Sequence, residues 1–346
     1  MDKRSDALDA VRGLAILLVV TFHWFGFGIG WTGVDLFFVL SGYLMGGILI
    51  ESKHLQSYYL IFYMRRIFRI VPLYFLFLIS TWLIFDLDRP IWRYLTFTQN
   101  FSWAETGLLN VGLAGLTWSL AIEVQFYLIL PFLIRSVTTT VLMRVCVGLI
   151  ALAPVVRWVL SQTIGEAAPY VLLPGRMDSL FAGVLVATIV RHPVMLGTAR
   201  QHVRALWLAS GVSFAAFVML GMAASFSPVS LPMYVLGYSL IIMFFGFGLN
   251  AVIIQENRPV KHRLLCAIGI GAYSTYLFHR SLQAGALALL GDGLVAALAA
   301  TALTTAVSAI CWFFLERPAI QYARTRWRYN RPNAPATISA TPGPAS

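Results

Sequence analysis

The sequence predicts an all-α integral membrane protein with about ten transmembrane helices and both termini in the cytoplasm. Of its 346 residues, 59% are hydrophobic and only 11% are charged, and the mean hydropathy is +0.78. Soluble domains carry about a quarter charged residues and less than half apolar residues. The apolar residues also form blocks long enough to cross a bilayer, for example 13–31 and 231–249. This composition excludes a soluble enzyme, a disordered chain and a disulfide scaffold.

Apolar runs of about 17–22 residues define the individual helices. The sixth run is short, so an earlier start or a tilted helix is expected there. The ten predicted helices cover residues 9–30, 34–52, 70–86, 116–134, 142–161, 178–190, 204–223, 232–254, 264–280 and 293–315.

The distribution of lysine and arginine predicts the orientation in the membrane. With the N-terminus in the cytoplasm, nineteen of the 25 basic residues fall in the inner connections and five in the outer ones; the remaining one, Arg12, lies inside the first predicted helix. Cytoplasmic connections of membrane proteins are enriched in these residues, so an even number of spans with both ends inside is predicted. Because the basic residues flank apolar blocks, the net charge of +11 does not indicate nucleic-acid binding.

Residues 1–318 are predicted to form one membrane domain, followed by a cytoplasmic tail at 319–346. The tail is basic and then rich in Pro and Ala, so we expect it to be disordered. The three cysteines lie in apolar runs without the spacing of metal ligands and are interpreted as core residues. No metal site is predicted.

Ionisable residues inside apolar spans are costly and indicate function. Arg12 and His23 are eleven residues apart, which places them on one helix face, about 16 Å apart along the axis. Arg12 is expected near the inner surface and His23 past the midplane. Glu123 is expected at the depth of His23, where the two can pair and the carboxylate can orient the imidazole. The alternative is an ion pair that only locks two helices together.

Several polar residues are expected at the outer ends of the spans, where they can bind a hydroxylated acceptor. Two alternatives stay open: Asp35 can be a helix cap, and the others can be solvated interfacial residues. The proposed acceptor-binding residues are Asp35, Arg176, Asp178 and His279, with Arg280 nearby.

The cytoplasmic counterpart is the segment FYMRRIFRIVP at 62–72. Arg65, Arg66 and Arg69 place three guanidinium groups where the third helix is expected to begin, and arginine binds phosphate through two parallel hydrogen bonds. With Arg12, this cluster predicts a phosphate site. Alone, it is also typical of an anchor on anionic lipid headgroups.

These motifs resemble those of the membrane acyltransferase-3 family. The resemblance covers about residues 8–318 and includes LDAVRGLAILLVVTFH, GVDLFFVLSGYL, FYMRRIFRIVP, TWSLAIEVQFYLILP, GRMDSLFAGVLVA, IGAYSTYLFH and LERP. Several ordered motifs with their own spacings make a chance match improbable.

The resemblance implies roles for individual residues. Arg12 and His23 correspond to the family's Arg-to-His motif, with His23 catalytic, and Arg65, Arg66 and Arg69 to its donor-binding motif. Glu123 corresponds to an acidic position that orients the base. Together Arg12, His23 and Glu123 are the predicted catalytic residues. The family implies a bacterial cytoplasmic (inner) membrane protein that uses acyl-CoA, in particular acetyl-CoA. Its fused extracytoplasmic esterase-like domain, present in some relatives, is not expected here.

The predicted function is transfer of an acyl group from acyl-CoA, across the membrane, to a hydroxyl of a cell-surface or exported glycan. Such a reaction needs a base for the hydroxyl proton and donors for the oxyanion. The oxyanion donors are unassigned, although Ser41, Ser119 and Tyr127 lie at a plausible depth. A small natural product such as a macrolide is an alternative acceptor. A proton-coupled transporter is an alternative from another class, since buried His, Asp and Glu also suit a proton relay.

Overall fold

The computed structural model describes residues 6–85, 87–108, 111–255 and 262–329. Within these ranges the regular structure is entirely helical, which confirms the predicted fold class. Nine of the described helical segments are long and apolar enough to cross a membrane. The predicted orientation of the termini stays a prediction.

The first three long helices are α1 (Asp6–Phe25), α2 (Gly33–Ser52) and α3 (Tyr58–Phe85). Helix α2 matches the prediction closely. Helix α3 begins well before residue 70, so the arginine cluster lies inside the helix and not at its start. A search for apolar runs ends a predicted span at charged residues. Arginine nevertheless favours helix, and its alkyl stem can pack on apolar surface.

The middle of the chain contains nine more helices. They are α4 (Ile91–Leu95), α5 (Gln99–Thr106), α6 (Trp118–Ser136), α7 (Thr139–Thr163), α8 (Ala168–Val171), α9 (Leu173–Arg191), α10 (Pro193–Gln201), α11 (Val203–Ala224) and α12 (Tyr238–Ile254). Four of them, α4, α5, α8 and α10, are short helices between the predicted spans that the sequence did not predict. As expected, the sixth predicted span starts earlier, with α8 and α9 together covering it.

The predicted helix at 264–280 is wrong in its bounds. The structure has α13 (Arg263–Ile270) and α14 (Ala272–Leu290), which meet at Gly271. The polar residues of α14 interrupt the apolar run, so hydropathy alone places the end of this helix too early. Helix α14 continues a full two turns beyond Arg280.

The chain continues with α15 (Leu294–Cys311), a short π-helical segment at Trp312–Glu316 and α16 (Arg317–Arg326). The beginning of the predicted disordered tail is therefore helical. It packs on α3, where Phe68 contacts the rings of Tyr322 and Trp327. The part of the predicted tail after Tyr329 lies outside the described residues.

Small residues allow two pairs of helices to approach closely. A Cβ atom on Gly183 of α9 would lie 2.0 Å from the carbonyl oxygen of Val39 in α2, and one on Gly269 of α13 would lie 1.8 Å from that of Asp9 in α1. Such contacts let backbones pack against each other in a membrane. The second pair fixes α1 beside α13, and so brings α14 alongside the C-terminal half of α1.

Candidate active site

Two histidines from distant parts of the chain meet between α1 and α14. His23 Nδ1 lies 3.1 Å from His279 Nε2 and 3.0 Å from the carbonyl oxygen of Val19. His279 is fully buried, with 0% of its surface exposed, whereas His23 is partly exposed. The structure therefore brings together the predicted catalytic histidine and a residue that the sequence assigned to acceptor binding.

A cavity of about 160 Å³ lies between α1, α2, α3, α6, α13 and α14. Its wall includes Arg12, which was predicted to be catalytic, and Arg66 and Arg69, which were predicted to bind the donor. Several hydroxyl groups and one carboxylate also line it. The polar lining residues are Arg12, Ser41, Arg66, Arg69, Ser119, Glu123, Tyr127, Tyr273 and Tyr276.

The three arginines of the cavity differ in their partners. Arg12 is paired with Asp9 at 2.6 Å, and Arg69 lies 3.7 Å from Glu316. Within the described part of the chain, the buried Nε of Arg66 has no hydrogen-bond partner. An unsatisfied guanidinium N–H group is costly unless a ligand or water accepts its hydrogen bond, so Arg66 is the member best suited to hold an anionic group.

Arg65 does not line the cavity. Its Nε donates a hydrogen bond to the carbonyl oxygen of Trp327 at 3.0 Å, and its guanidinium lies over the ring of Tyr329. Successive residues on a helix point in directions about 100° apart. This is why Arg66 and Arg69 face the cavity while Arg65 faces the C-terminal segment.

The predicted pair of His23 with Glu123 is wrong. Glu123 instead accepts a hydrogen bond from the hydroxyl of Tyr127 at 2.7 Å, and Tyr127 lies 2.6 Å from Ser41 Oγ. Because the tyrosine proton is used for the carboxylate, Ser41 donates to Tyr127. Glu123 therefore belongs to the cavity wall near Arg66, and His23 has His279 as its partner.

The cavity and the histidine pair are joined by Tyr276. Its hydroxyl lies 2.6 Å from Ser119 Oγ in the cavity wall, and its backbone carbonyl accepts a hydrogen bond from His279 Nδ1 at 2.8 Å. The two histidines thus lie one helical turn of α14 beyond the end of the cavity.

The remaining predicted acceptor-binding residues do not form an open mouth. Asp35 and Arg176 are both 0% exposed and paired at 2.6 Å, and Ser179 also donates to Asp35. Asp178 is buried against Arg157. Burial of a charge requires a partner, so these residues connect α2 to α9 and α7 to α9. The structure gives no surface on which they could meet a large acceptor directly.

Reasoning from the sequence missed two features of the site. Tyr276 was not singled out, because a tyrosine in a membrane helix is common and neutral. The histidine pair was missed although both residues were expected in the outer halves of their spans, His23 past the midplane and His279 at the outer end. That shared depth is the signal that could have indicated it.

A cavity lined by arginines, with a histidine pair beyond its end, is consistent with acyl transfer. The comparison with known families decides the reaction class. A family model described as an acyltransferase domain matches residues 5–313. The chain belongs to the acyltransferase-3 family. The protein is therefore a membrane acyltransferase.

Similar curated proteins carry related descriptions. The chain is 27% identical over 300 residues to the putative membrane-bound transacylase BcsY of Komagataeibacter xylinus, covering 80% of this chain and 72% of that protein. It is 25% identical over 359 residues to the peptidoglycan O-acetyltransferase OatA of Listeria monocytogenes, covering 91% and 56%. It is also 34% identical over 152 residues to the putative peptidoglycan O-acetyltransferase YrhL of Bacillus subtilis, covering 36% and 23%. This chain thus spans about half of OatA, and its match spans about a quarter of YrhL. No solved structure matches significantly.

Proposed function

We propose that this acyltransferase moves an acyl group, in the first instance acetyl, from acyl-CoA to a hydroxyl of a cell-surface or exported glycan. The family membership supports acyl transfer. The names of OatA and YrhL, both peptidoglycan O-acetyltransferases, support a hydroxyl acceptor on a glycan. A macrolide-like small molecule is the alternative acceptor.

The observation that carries the proposal is the convergence of Arg12, Arg66 and Arg69 on one cavity, whose wall is linked to His23 through Tyr276 and His279. Guanidinium groups bind phosphate strongly, and acyl-CoA combines a phosphorylated nucleotide with a long flexible arm that ends in a thioester. The phosphates would bind at the arginines, and the arm would carry the thioester along the cavity towards the histidines.

In the chemical step, His23 would act as general base. The acceptor hydroxyl would lose its proton to His23 while its oxygen forms a bond to the thioester carbonyl carbon. The C–S bond then breaks, and the sulfur leaves as a thiolate that takes up the proton. A positioned base contributes about 10²–10⁴-fold to such a reaction. The hydroxyls of Ser119 and Tyr276 line the cavity, but their hydrogens are used within the protein. Tyr276 donates to the carbonyl oxygen of Leu116 at 2.8 Å, and Ser119 Oγ lies 2.6 Å from the Tyr276 hydroxyl, so either group would have to turn away from its partner to stabilise the oxyanion.

We also propose a cytoplasmic (inner) membrane location with both termini inside. The excess of basic residues on the side of the N-terminus supports it. Acyl-CoA is a cytoplasmic metabolite, and the arginines of the cavity would face that supply.

The proposal is tested with purified protein in detergent, supplied with acetyl-CoA and either soluble glycan fragments or a macrolide. Release of free CoA thiol that depends on the glycan, together with acetyl ester on the glycan, is the expected result. Thiol release only with the macrolide would favour the alternative acceptor. If neither acceptor supports thiol release while vesicles show proton-coupled uptake, the enzyme assignment of this chain would be overturned.

A further inference from the structure

The backbone of α14 fixes the protonation of His279. Its Nδ1 lies 2.8 Å from the carbonyl oxygen of Tyr276 and 3.1 Å from that of Thr275. A carbonyl oxygen can only accept a hydrogen bond, so Nδ1 must carry the hydrogen. Because the side chain is fully buried, a second proton would place an uncompensated charge in an apolar environment. His279 is therefore neutral, and its Nε2 is an acceptor.

The same reasoning fixes the tautomer of His23. Its Nδ1 faces the carbonyl oxygen of Val19 at 3.0 Å and the acceptor Nε2 of His279 at 3.1 Å. Both groups accept hydrogen bonds, so Nδ1 of His23 carries the hydrogen. The other ring nitrogen, Nε2, is then left with its lone pair.

We propose that His279 is a positioning residue for acyl transfer: it accepts the Nδ1–H of His23 and thereby holds His23 with Nε2 free to act as the general base. The inference rests on the proposed function, in which His23 takes the proton of the acceptor hydroxyl. It replaces the acceptor-binding role that the sequence indicated for His279.

The exposure of the two rings supports this division of roles. His279 is 0% exposed and is enclosed by α1 and α14, so it has no surface on which to contact an acceptor. His23 is partly exposed. A base that is held by a second group through its other nitrogen is the usual arrangement by which an imidazole is kept in one tautomer and orientation.

The inference is tested by three substitutions at the α1–α14 interface. His279→Phe keeps a ring of similar size but offers no acceptor, whereas His279→Gln offers an amide oxygen at about the same reach. Gln283→Ala is the matched control, because Gln283 lies one turn further on α14 and its side-chain amide donates to the backbone oxygen of His23, at 3.5 Å, and not to the imidazole.

We expect His279→Phe to lower kcat by about 10- to 100-fold, within the total contribution of a general base, and to leave the donor KM nearly unchanged. His279→Gln should recover most of that loss, and Gln283→Ala should resemble the wild type. A His279→Phe enzyme with wild-type kcat, or a folded His279→Gln enzyme as slow as His279→Phe, would overturn the inference.

A second measurement reads the tautomer directly and does not require activity. In protein labelled with ¹⁵N-histidine, the resonances of His23 are assigned by their loss in His23→Gln. We expect a protonated Nδ1 and an unprotonated Nε2 for His23. In His279→Phe the carbonyl oxygen of Val19 still accepts from Nδ1, so the tautomer should persist while the Nδ1 resonance shifts because one of its two acceptors is lost. A protonated Nε2 on neutral wild-type His23 would overturn the inference whatever the kinetics.

The two measurements separate this inference from the proposed function. If His23→Gln keeps full activity, His23 is not the base and the proposed mechanism fails, even when the tautomer is as expected. If His23→Gln is inactive but His279→Phe is fully active with an unchanged His23 spectrum, the mechanism stands and the role of His279 fails.

Discussion

Among the arginines of the cavity, Arg66 is best suited to bind an anion, because its buried Nε has no hydrogen-bond partner among the described residues. Arg12 and Arg69 already share their charge with carboxylates of the protein. The guanidinium of Arg65 instead binds the backbone of Trp327. Neighbouring arginines of one motif are therefore expected to differ in how much they contribute to donor binding.

We predict that Arg66→Ala raises the donor KM by roughly 10- to 100-fold, since a hydrogen bond to a charged group contributes about 1.5–3 kcal/mol. Its kcat should change less. Arg66→Lys should recover only part of the loss, because it keeps the charge without the planar fork. The measurement is the initial rate as a function of acetyl-CoA concentration. Arg65→Ala serves as the comparison, and an equal or larger rise of KM in that variant would contradict the geometry.

Most of the candidate site residues could be selected from the sequence, but their hydrogen-bond and ion-pair partners could not. Arg12, His23 and Glu123 stood out because charged or titratable groups inside apolar spans are costly. The partner of His23 could not be derived in the same way, since His279 lies 256 residues further along the chain and meets it only because α1 packs against α13 and α14. Glu123 was assigned to His23 on depth alone, and depth does not say which way a side chain points.

At the scale of whole elements, the close contact of α2 with α9 depends on Gly42 and Gly183. A Cβ atom on Gly42 would lie 1.9 Å from the carbonyl oxygen of Leu180. A Cβ atom on Gly183 would lie 2.0 Å from the carbonyl oxygen of Val39 and 2.6 Å from the backbone nitrogen of Tyr43. These are backbone atoms, so a methyl group can be accommodated only if the helices move apart.

We predict that Gly183→Ala destabilises the protein by about 1–3 kcal/mol, the usual effect of overpacking. Gly148→Ala in α7 is the matched control, because a Cβ atom there would meet nothing within 4 Å. The control should be neutral or slightly stabilising, since alanine favours helix over glycine. Thermal unfolding in detergent measures both. Equal midpoints for the two variants would show that α2 and α9 are not in this close contact.

The ion pair of Asp35 with Arg176 joins the same two helices, and it can be tested separately. Asp35→Asn should destabilise the protein by about 3–5 kcal/mol, because it leaves the Arg176 charge buried without a counter-charge. The double variant Asp35→Asn with Arg176→Gln removes both charges and should be more stable than the single variant.

Activity of that double variant decides between two roles for the pair. If the pair only connects helices, the folded double variant should transfer acetyl at close to the wild-type rate. A folded double variant with a strongly raised acceptor KM would instead support the acceptor-binding role expected from the sequence.

Helix positions followed from hydropathy wherever a span is uniformly apolar, as in α2 and α11. Hydropathy failed at α3 and at α14, where arginine, serine, threonine and histidine lie within a helix. Such residues are tolerated because they face the cavity or a neighbouring helix and not lipid. The misplaced ends therefore lie on two of the helices that contribute polar residues to the candidate site.

At the scale of the whole molecule, the fold class and the family could be recognised from composition and motifs, since both depend on features that the sequence states directly. The separation of the site into a cavity with arginines and a histidine pair could not be predicted from the sequence. The cavity is lined by residues of six helices, and the histidine pair lies beyond its end. The arrangement of the arginines and the histidines therefore depends on the packing of the whole bundle.

This arrangement gives the enzyme two sides. The arginines of the cavity and the histidine pair lie at different depths of the bundle, with Arg12 in the first turns of α1 and His23 near its end. If the N-terminus is cytoplasmic, as the distribution of basic residues predicts, our proposal requires that the donor enter from the cytoplasm and that the acceptor meet His23 from the opposite half of the membrane.

Oriented vesicles test this central claim most directly. The protein is reconstituted, its orientation is determined from protease protection of an N-terminal tag, and labelled acetyl-CoA is supplied on one face with a membrane-impermeant glycan acceptor on the other. We predict acetylated acceptor only when the donor is on the face that carries the N-terminus, and none with His23→Ala in either arrangement. Equal transfer with the donor on the opposite face would contradict the proposed path from the arginines of the cavity to His23.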